Sequence, residues 1–157
     1  MSQFISVFDM FKIGVGPSSS HTLGPWKAAS LWMQQLRNSQ KFEEIDQITV
    51  DLYGSLSLTG KGHATDLAIL LGLSEADPEH IPIEDIFIIV KRINIQQQIY
   101  LKGGKKISFL KESIVFNKEF LPYHPNGITF RGYCNGMEIS VQTYYSIGGG
   151  FVEQENA

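Results

Sequence analysis

The sequence predicts an α+β fold, an antiparallel sheet with helices packed mostly on one side. Three observations predict it. Apolar residues recur at helical spacing over 23–38, they alternate over 47–53, and an Asn-Gly pair at 135–136 joins two β-prone runs in a glycine-punctuated second half. Helices therefore fall mainly in the first half and antiparallel strands in the second.

Val7, Phe8, Met10 and Phe11 give residues 6–12 a short helical face, which ends at the glycines of Ile13-Gly-Val-Gly-Pro17. A polar loop, Ser18-Ser-Ser-His-Thr22, follows. Over 23–38, Trp26, Ala29, Met33 and Leu36 line one stripe and Lys27, Ser30, Gln34 and Arg37 the opposite one, with Pro25 suited to the first turn. Ile48, Val50 and Leu52 alternate with polar or amphipathic neighbours, the period of a half-buried strand. Residues 61–73 carry Ala64, Leu67, Ala68, Leu70 and Leu71 and read as a second helix, and Asp77-Pro-Glu-His-Ile-Pro82 as a connecting loop. Ile86-Phe-Ile-Ile-Val90 is β-prone, but Ile86, Ile89, Val90 and Ile93 also share a helical face. With Pro82 and Glu84-Asp85 ahead of them, residues 83–97 are assigned to helix. After Gly103-Gly104 the chain reads as strands, most clearly a hairpin of 127–134 and 137–145.

The chain has 157 residues, the length of one domain, and 43% hydrophobic residues, enough for a core. Thirteen basic residues against sixteen acidic ones give a net charge near −3, with no long block of either sign, which argues against a nucleic-acid surface. The opening Met1-Ser-Gln-Phe-Ile-Ser-Val-Phe8 lacks a basic segment feeding a long apolar run, and no stretch reaches membrane-spanning length. A cytoplasmic, soluble protein with no membrane or nucleic-acid partner is expected. The one cysteine, Cys134, cannot form an internal disulfide and cannot supply the several thiolates of an iron–sulfur cluster. No two histidines stand at the spacing of a zinc helix, so no metal is expected on this chain.

Three segments concentrate chemistry. Gly14 to Thr22 gathers hydroxyls and His21 just before a helix, where free N–H groups and the helix dipole favour a carboxylate or phosphate. The dipole also favours neutral His21, whose lone pair is then available to a proton. The alternative is a helix cap with surplus serines. Gly54-Ser-Leu-Ser-Leu-Thr-Gly-Lys-Gly-His63 again runs from a strand towards a helix and offers Lys61 and His63. It is not a nucleotide-binding P-loop, because five residues separate Gly54 from Gly60 and Gly62 follows the lysine. A dinucleotide site fails too, since Ser19 stands where the third glycine after Gly14 and Gly16 belongs. For His63 the alternative is a structural hydrogen bond. Leu121-Pro-Tyr-His-Pro-Asn-Gly127 presents His124 and Asn126 on a proline-stiffened backbone, with a simple Asn-Gly turn as the alternative.

Taken together, Ser6-Val-Phe-Asp-Met-Phe11, Gly14 to Pro25, Thr59-Gly-Lys-Gly-His63, His124-Pro-Asn-Gly127 and Tyr144-Tyr-Ser-Ile-Gly-Gly-Gly150 resemble the β domain of bacterial iron–sulfur L-serine dehydratases (L-serine ammonia-lyases) of the single-chain type. The resemblance runs over nearly the whole chain, in the same order. It implies a lyase of amino-acid degradation and gluconeogenesis, which converts L-serine to pyruvate and ammonia. Residues 1–150 would be the β domain and 151–157 the start of a linker to a cluster-binding domain, absent here, that holds a 4Fe-4S cluster. An iron would act as Lewis acid on the substrate hydroxyl while a protein base takes the α-proton.

By the same resemblance His63 would be the base and His21 its partner, or the reverse. Ser18, Ser19, Ser20 and Thr22 would hold the substrate carboxylate, and Asn126 would make a polar contact to substrate or to the partner domain. The fragment would be inactive alone, and the full-length enzyme a homodimer. The competing reading is a binding module, since the domain also resembles the allosteric substrate-binding domain of some D-3-phosphoglycerate dehydrogenases, which binds a small anion and performs no chemistry. The joint presence of His21 and His63 favours the catalytic version. A pyridoxal-phosphate dehydratase needs a much larger fold and is set aside.

Overall fold

The computed structural model describes residues 20–59 and 65–155. The expected helix at 6–12, and Ser18, Ser19, Lys61 and His63, lie outside the described residues. Helix α1 spans Leu23–Asn38, strand β1 Gln47–Leu52, and the short helix α2 Ser55–Thr59. Helix α3 runs over Thr65–Leu73 and α4 over Ile83–Lys91, the latter continuing into one π-helical stretch at Arg92–Gln96. The strands β2 Gln98–Tyr100, β3 Lys106–Ser108, β4 Ile114–Phe116, β5 Gly127–Cys134, β6 Met137–Gly148 and β7 Phe151–Gln154 follow.

Five strands form the main sheet in the order β4-β1-β5-β6-β7, and β2 and β3 make a separate hairpin. The α+β class holds. Every pairing is antiparallel except that of β1 with β4, which is parallel. The antiparallel reading misses this pair because β4 is three residues long and reaches β1 only after three helices and the β2–β3 hairpin. The expected hairpin is present: β5 and β6 pair from Gly127↔Tyr145 to Cys134↔Met137, and Asn135 and Gly136 both take positive φ (51° and 81°), as a tight two-residue turn requires. Residues 151–157, assigned above to the start of a linker, begin with β7, which adds to the free edge of β6.

Helix α1 carries the core. Trp26, Ala29, Met33 and Leu36, the predicted stripe, are all buried, and Ala28 and Trp32 join them. The Trp32 ring stacks on Phe130 of β5 with centroids 5.3 Å apart, and its Nε1 donates to Ser140 Oγ of β6. Trp26 sits on the other flank and donates from Nε1 to the Ala76 carbonyl at 2.8 Å. One helix thus bonds both the sheet and the chain leaving α3. Every residue of α3 is buried, so a helix apolar all round is what its sequence should encode. On α4 and its π extension Ile86, Val90 and Ile93 are buried, the face that the helical reading of 83–97 predicts.

Close approach of α1 and α3 depends on Gly72, where a β-carbon would meet the Trp26 carbonyl oxygen at 2.3 Å and Ala29 Cβ at 2.7 Å. Alanine raises helix propensity by about 1 kcal/mol over glycine, but overpacking against a backbone atom costs about 1–3 kcal/mol and must push the helices apart. Gly72→Ala is therefore expected to lower the urea midpoint of unfolding, and an unchanged or higher midpoint would show that α1 and α3 separate freely.

Candidate functional site

The Ser20-His21-Thr22 segment enters α1, and backbone bonding of the helix starts from it: Trp26 N donates to the Thr22 carbonyl at 2.9 Å. The capping alternative does not hold for Thr22, whose side chain makes no cap bond although it stands at the N-cap position. Ser20 Oγ lies 3.0 Å from His21 Nδ1. In the tautomer that donates from Nδ1 to this hydroxyl, Nε2, which is buried, carries the lone pair.

Two outside residues hold this segment by its carbonyls. Thr65, the first residue of α3, donates from Oγ1 to the His21 carbonyl at 2.6 Å. Ser146 of β6, fully buried, donates from Oγ to the Ser20 carbonyl at 2.7 Å. Bonded carbonyls leave the loop little freedom to rotate its peptides.

Asn126 reaches the same point from a different direction. The residue is 8% exposed and its Nδ2 donates to the Ser146 carbonyl at 3.0 Å, while Ser146 N donates back to the Asn126 carbonyl at 3.0 Å. An exposed Asn-Gly turn is thereby excluded, and Gly127 instead opens β5. His124 Nδ1 accepts the Asn126 backbone N–H at 3.1 Å, which puts the proton of the neutral ring on Nε2. Asn126 Oδ1 is buried and makes no hydrogen bond among the described residues.

The loop carrying Asn126 is tied to the end of β1. Gly54 N donates to Glu119 O, Ser55 N to Pro125 O, and Tyr53 N to Gly127 O, all within 3.0 Å. Gly54 takes φ +58°, and a β-carbon there would lie 2.3 Å from the Pro125 oxygen, so any other residue would lift the loop away. Residues 20–22, 65, 126 and 146 are thus one bonded unit, and 53–55 is tied to it through the loop 119–127.

A family model described as the serine dehydratase beta chain matches residues 6–157. The chain belongs to this family. It is 44% identical over 156 residues to an L-serine dehydratase of Streptomyces coelicolor, covering 98% of this chain and 34% of that protein. It is also 44% identical over 154 residues to an L-serine dehydratase of Haemophilus influenzae, and 40% identical over 153 residues to L-serine dehydratase 1 of Escherichia coli, each match covering 96% of this chain and 34% of the relative. The chain spans about a third of the length of these curated relatives.

Of the residues the sequence singles out for a site, Ser20, His21, Thr22 and Asn126 are described, and Ser20 and Asn126 meet through Ser146. Ser146 and Thr65 went unassigned in the sequence. Ser146 stands inside Tyr144-Tyr-Ser-Ile-Gly-Gly-Gly150, and Thr65 two places after His63, so nearness to recognisable segments was the one signal available. Neighbouring Tyr145 is almost fully buried, which together with its hydrogen bond to Glu155 pushes its phenol up to about 12. Tyr145 therefore stays protonated at neutral pH. Tyr123 packs on it with ring centroids 4.9 Å apart and donates to Glu153.

Elsewhere, Asp77 and His80 line a surface pocket of about 480 Å³ with Asp85 and Arg92 beside α4, and His80 Nδ1 lies 2.6 Å from Asp77 Oδ2. Cys134 is half-buried beside the hairpin turn. Among the described residues no three His, Cys, Asp or Glu side chains gather for a metal ion, and no helix is long and apolar enough to cross a membrane.

Two outcomes follow. Ser146→Ala removes a buried donor from the Ser20 carbonyl and should cost about 1–3 kcal/mol of unfolding free energy, read by denaturant titration; no loss would mean the clasp is idle. The hydrogen bond to Asp77 raises the His80 pKa above 6.5 and that from His80 lowers Asp77 below 3.8. The pair then favours the folded state between those two pKa values, its benefit fading as pH rises through the His80 pKa or falls through that of Asp77. Asp77→Asn should return the His80 titration, followed by NMR, towards 6.5.

Proposed function

We infer that this chain is the β domain of an L-serine dehydratase, which removes water from L-serine to give aminoacrylate and then pyruvate and ammonia. The observation that carries the reading is the pinning of Ser20-His21 by Thr65 and Ser146, with Asn126 bonded to the same Ser146. A hydroxyl-rich segment at a helix start, held rigid and provided with an imidazole, suits an amino-acid carboxylate and a proton transfer beside it. Thr65, two residues along the chain from His63, bonds the carbonyl of His21, which supports a shared task for the two histidines.

In this reading Ser18, Ser19, Ser20 and Thr22 hold the carboxylate, His63 takes the α-proton, and His21 binds or protonates. The residues of this chain do not fit an iron–sulfur cluster, because Cys134 is its one thiol and a cluster is held by several. A 4Fe-4S cluster belongs to a following domain, with 1–150 as the β domain and 151–157, which pairs with β6 through β7 before it leaves the sheet, leading towards it. The full-length enzyme is a cytoplasmic homodimer that feeds pyruvate from amino-acid degradation to gluconeogenesis. The lengths of the relatives, about three times that of this chain, support a further domain.

The chain alone should neither deaminate L-serine nor develop cluster absorbance on reconstitution with iron and sulfide. In the full-length enzyme His63→Ala and His21→Ala should each reduce turnover by about two to four orders of magnitude, the range of a general acid–base group. Loss of the base should abolish exchange of the α-proton with solvent, whereas loss of a carboxylate-binding histidine should raise KM with less effect on kcat. Near-normal kinetics in both variants would sink this mechanism.

A further inference from the structure

Asn126 is a buried amide with one half of its bonding filled and the other open. Its Nδ2 faces the Ser146 carbonyl at 3.0 Å, and a carbonyl only accepts, so the flipped amide would set two oxygens against each other. The orientation of Oδ1 follows. That oxygen is buried and accepts no hydrogen bond among the described residues, in a residue 8% exposed. Buried acceptors are normally satisfied, and one left open beside a held polar loop is a place for a ligand donor.

The charge of the donor follows from the surroundings. Asn126 is fastened through Ser146 to the Ser20 carbonyl, so Oδ1 belongs to the rigid unit that carries Ser20 and His21. A carboxylate offers no proton to an acceptor and would be repelled. A hydroxyl that donated to Oδ1 would gain electron density, the wrong change for a group about to leave as water. An ammonium matches in both proton supply and charge.

We propose that Asn126 Oδ1 accepts a hydrogen bond from the α-ammonium of the amino-acid substrate and so selects α-amino acids over carboxylic acids that lack the amine. This deepens the L-serine dehydratase reading and rests on it. Ser20 and Thr22 before α1 then serve the carboxylate, and the two ends of the substrate are held by elements joined through one residue, Ser146.

The test uses the full-length holoenzyme and two inhibitors, L-alanine and propionate, which differ only in the ammonium and neither of which has a β-hydroxyl to eliminate. Asn126→Ala should raise the KM for L-serine and the Ki for L-alanine about tenfold or more, the scale of one charge-assisted hydrogen bond, and leave the Ki for propionate within about twofold. The preference for L-alanine over propionate then falls about tenfold. Equal changes for the two inhibitors, or none, would overturn the assignment, as would an effect on L-serine with L-alanine untouched, which would place the hydroxyl at Asn126. Should the variant fail to fold, a crystal structure of the wild-type enzyme with L-alanine decides: the amine nitrogen within about 3.2 Å of Asn126 Oδ1 is expected, and one beyond about 4 Å refutes it. An enzyme that does not dehydrate L-serine at all would defeat the functional reading, a result separate from the L-alanine to propionate ratio.

Discussion

The packing of α1 between the sheet and α3 is the constraint on which the rest depends. Trp32 stacks on Phe130 while Trp26 bonds the Ala76 carbonyl, so the helix is gripped on two sides by large rings whose polar atoms are satisfied. Interiors of this density transmit position, because a rigid, close-packed helix has no low-energy alternative seat. Its N-terminal approach, Ser20-His21-Thr22, inherits that rigidity. The bonds from Thr65 and Ser146 then fix the peptides that the helix itself does not reach.

Around that fixed point the sheet supplies the second half of the site. Tyr144, Tyr145 and Ser146 are consecutive and all buried, which a regular strand facing solvent on one side does not allow. Tyr144 lies against Phe130 and donates to Gln35 of α1, while Tyr145 is covered in part by Tyr123. Ser146, next along, then has buried surroundings on both sides and spends its polar atoms on the two loops. The register shift between Ser146 and Gly148, where β6 meets β7, comes immediately after it, and an irregular edge is a common place for a strand to redirect a side chain.

Much of the fold was legible in the sequence. The stripe Trp26, Ala29, Met33 and Leu36, the alternation of Ile48, Val50 and Leu52, and the Asn135-Gly136 turn each express a local rule, because periodicity and positive φ act over a few residues. The ambiguous run at 86–90 resolved to helix as read, with Ile86 and Val90 inward. The parallel edge strand β4 was not legible, for its three residues carry too short a pattern and its partner lies more than sixty positions earlier. In the site, His21 and Ser20 were visible through residue type and spacing, whereas Ser146 and Thr65 were not, since a lone serine or threonine in a strand or helix start has many ordinary uses.

The sequence by itself determined the class of the fold, the loops rich in hydroxyls and imidazoles, and the family to which they belong, because all three reside in residue identity and local order. Tertiary structure alone decided that Asn126 is a buried, oriented amide rather than a turn residue, and that one serine joins it to the loop before α1. The physical reason is that a hydrogen bond between positions 20 and 146 has no local signature. It comes into being only when the core has brought the start of α1 and the end of β6 within reach of each other.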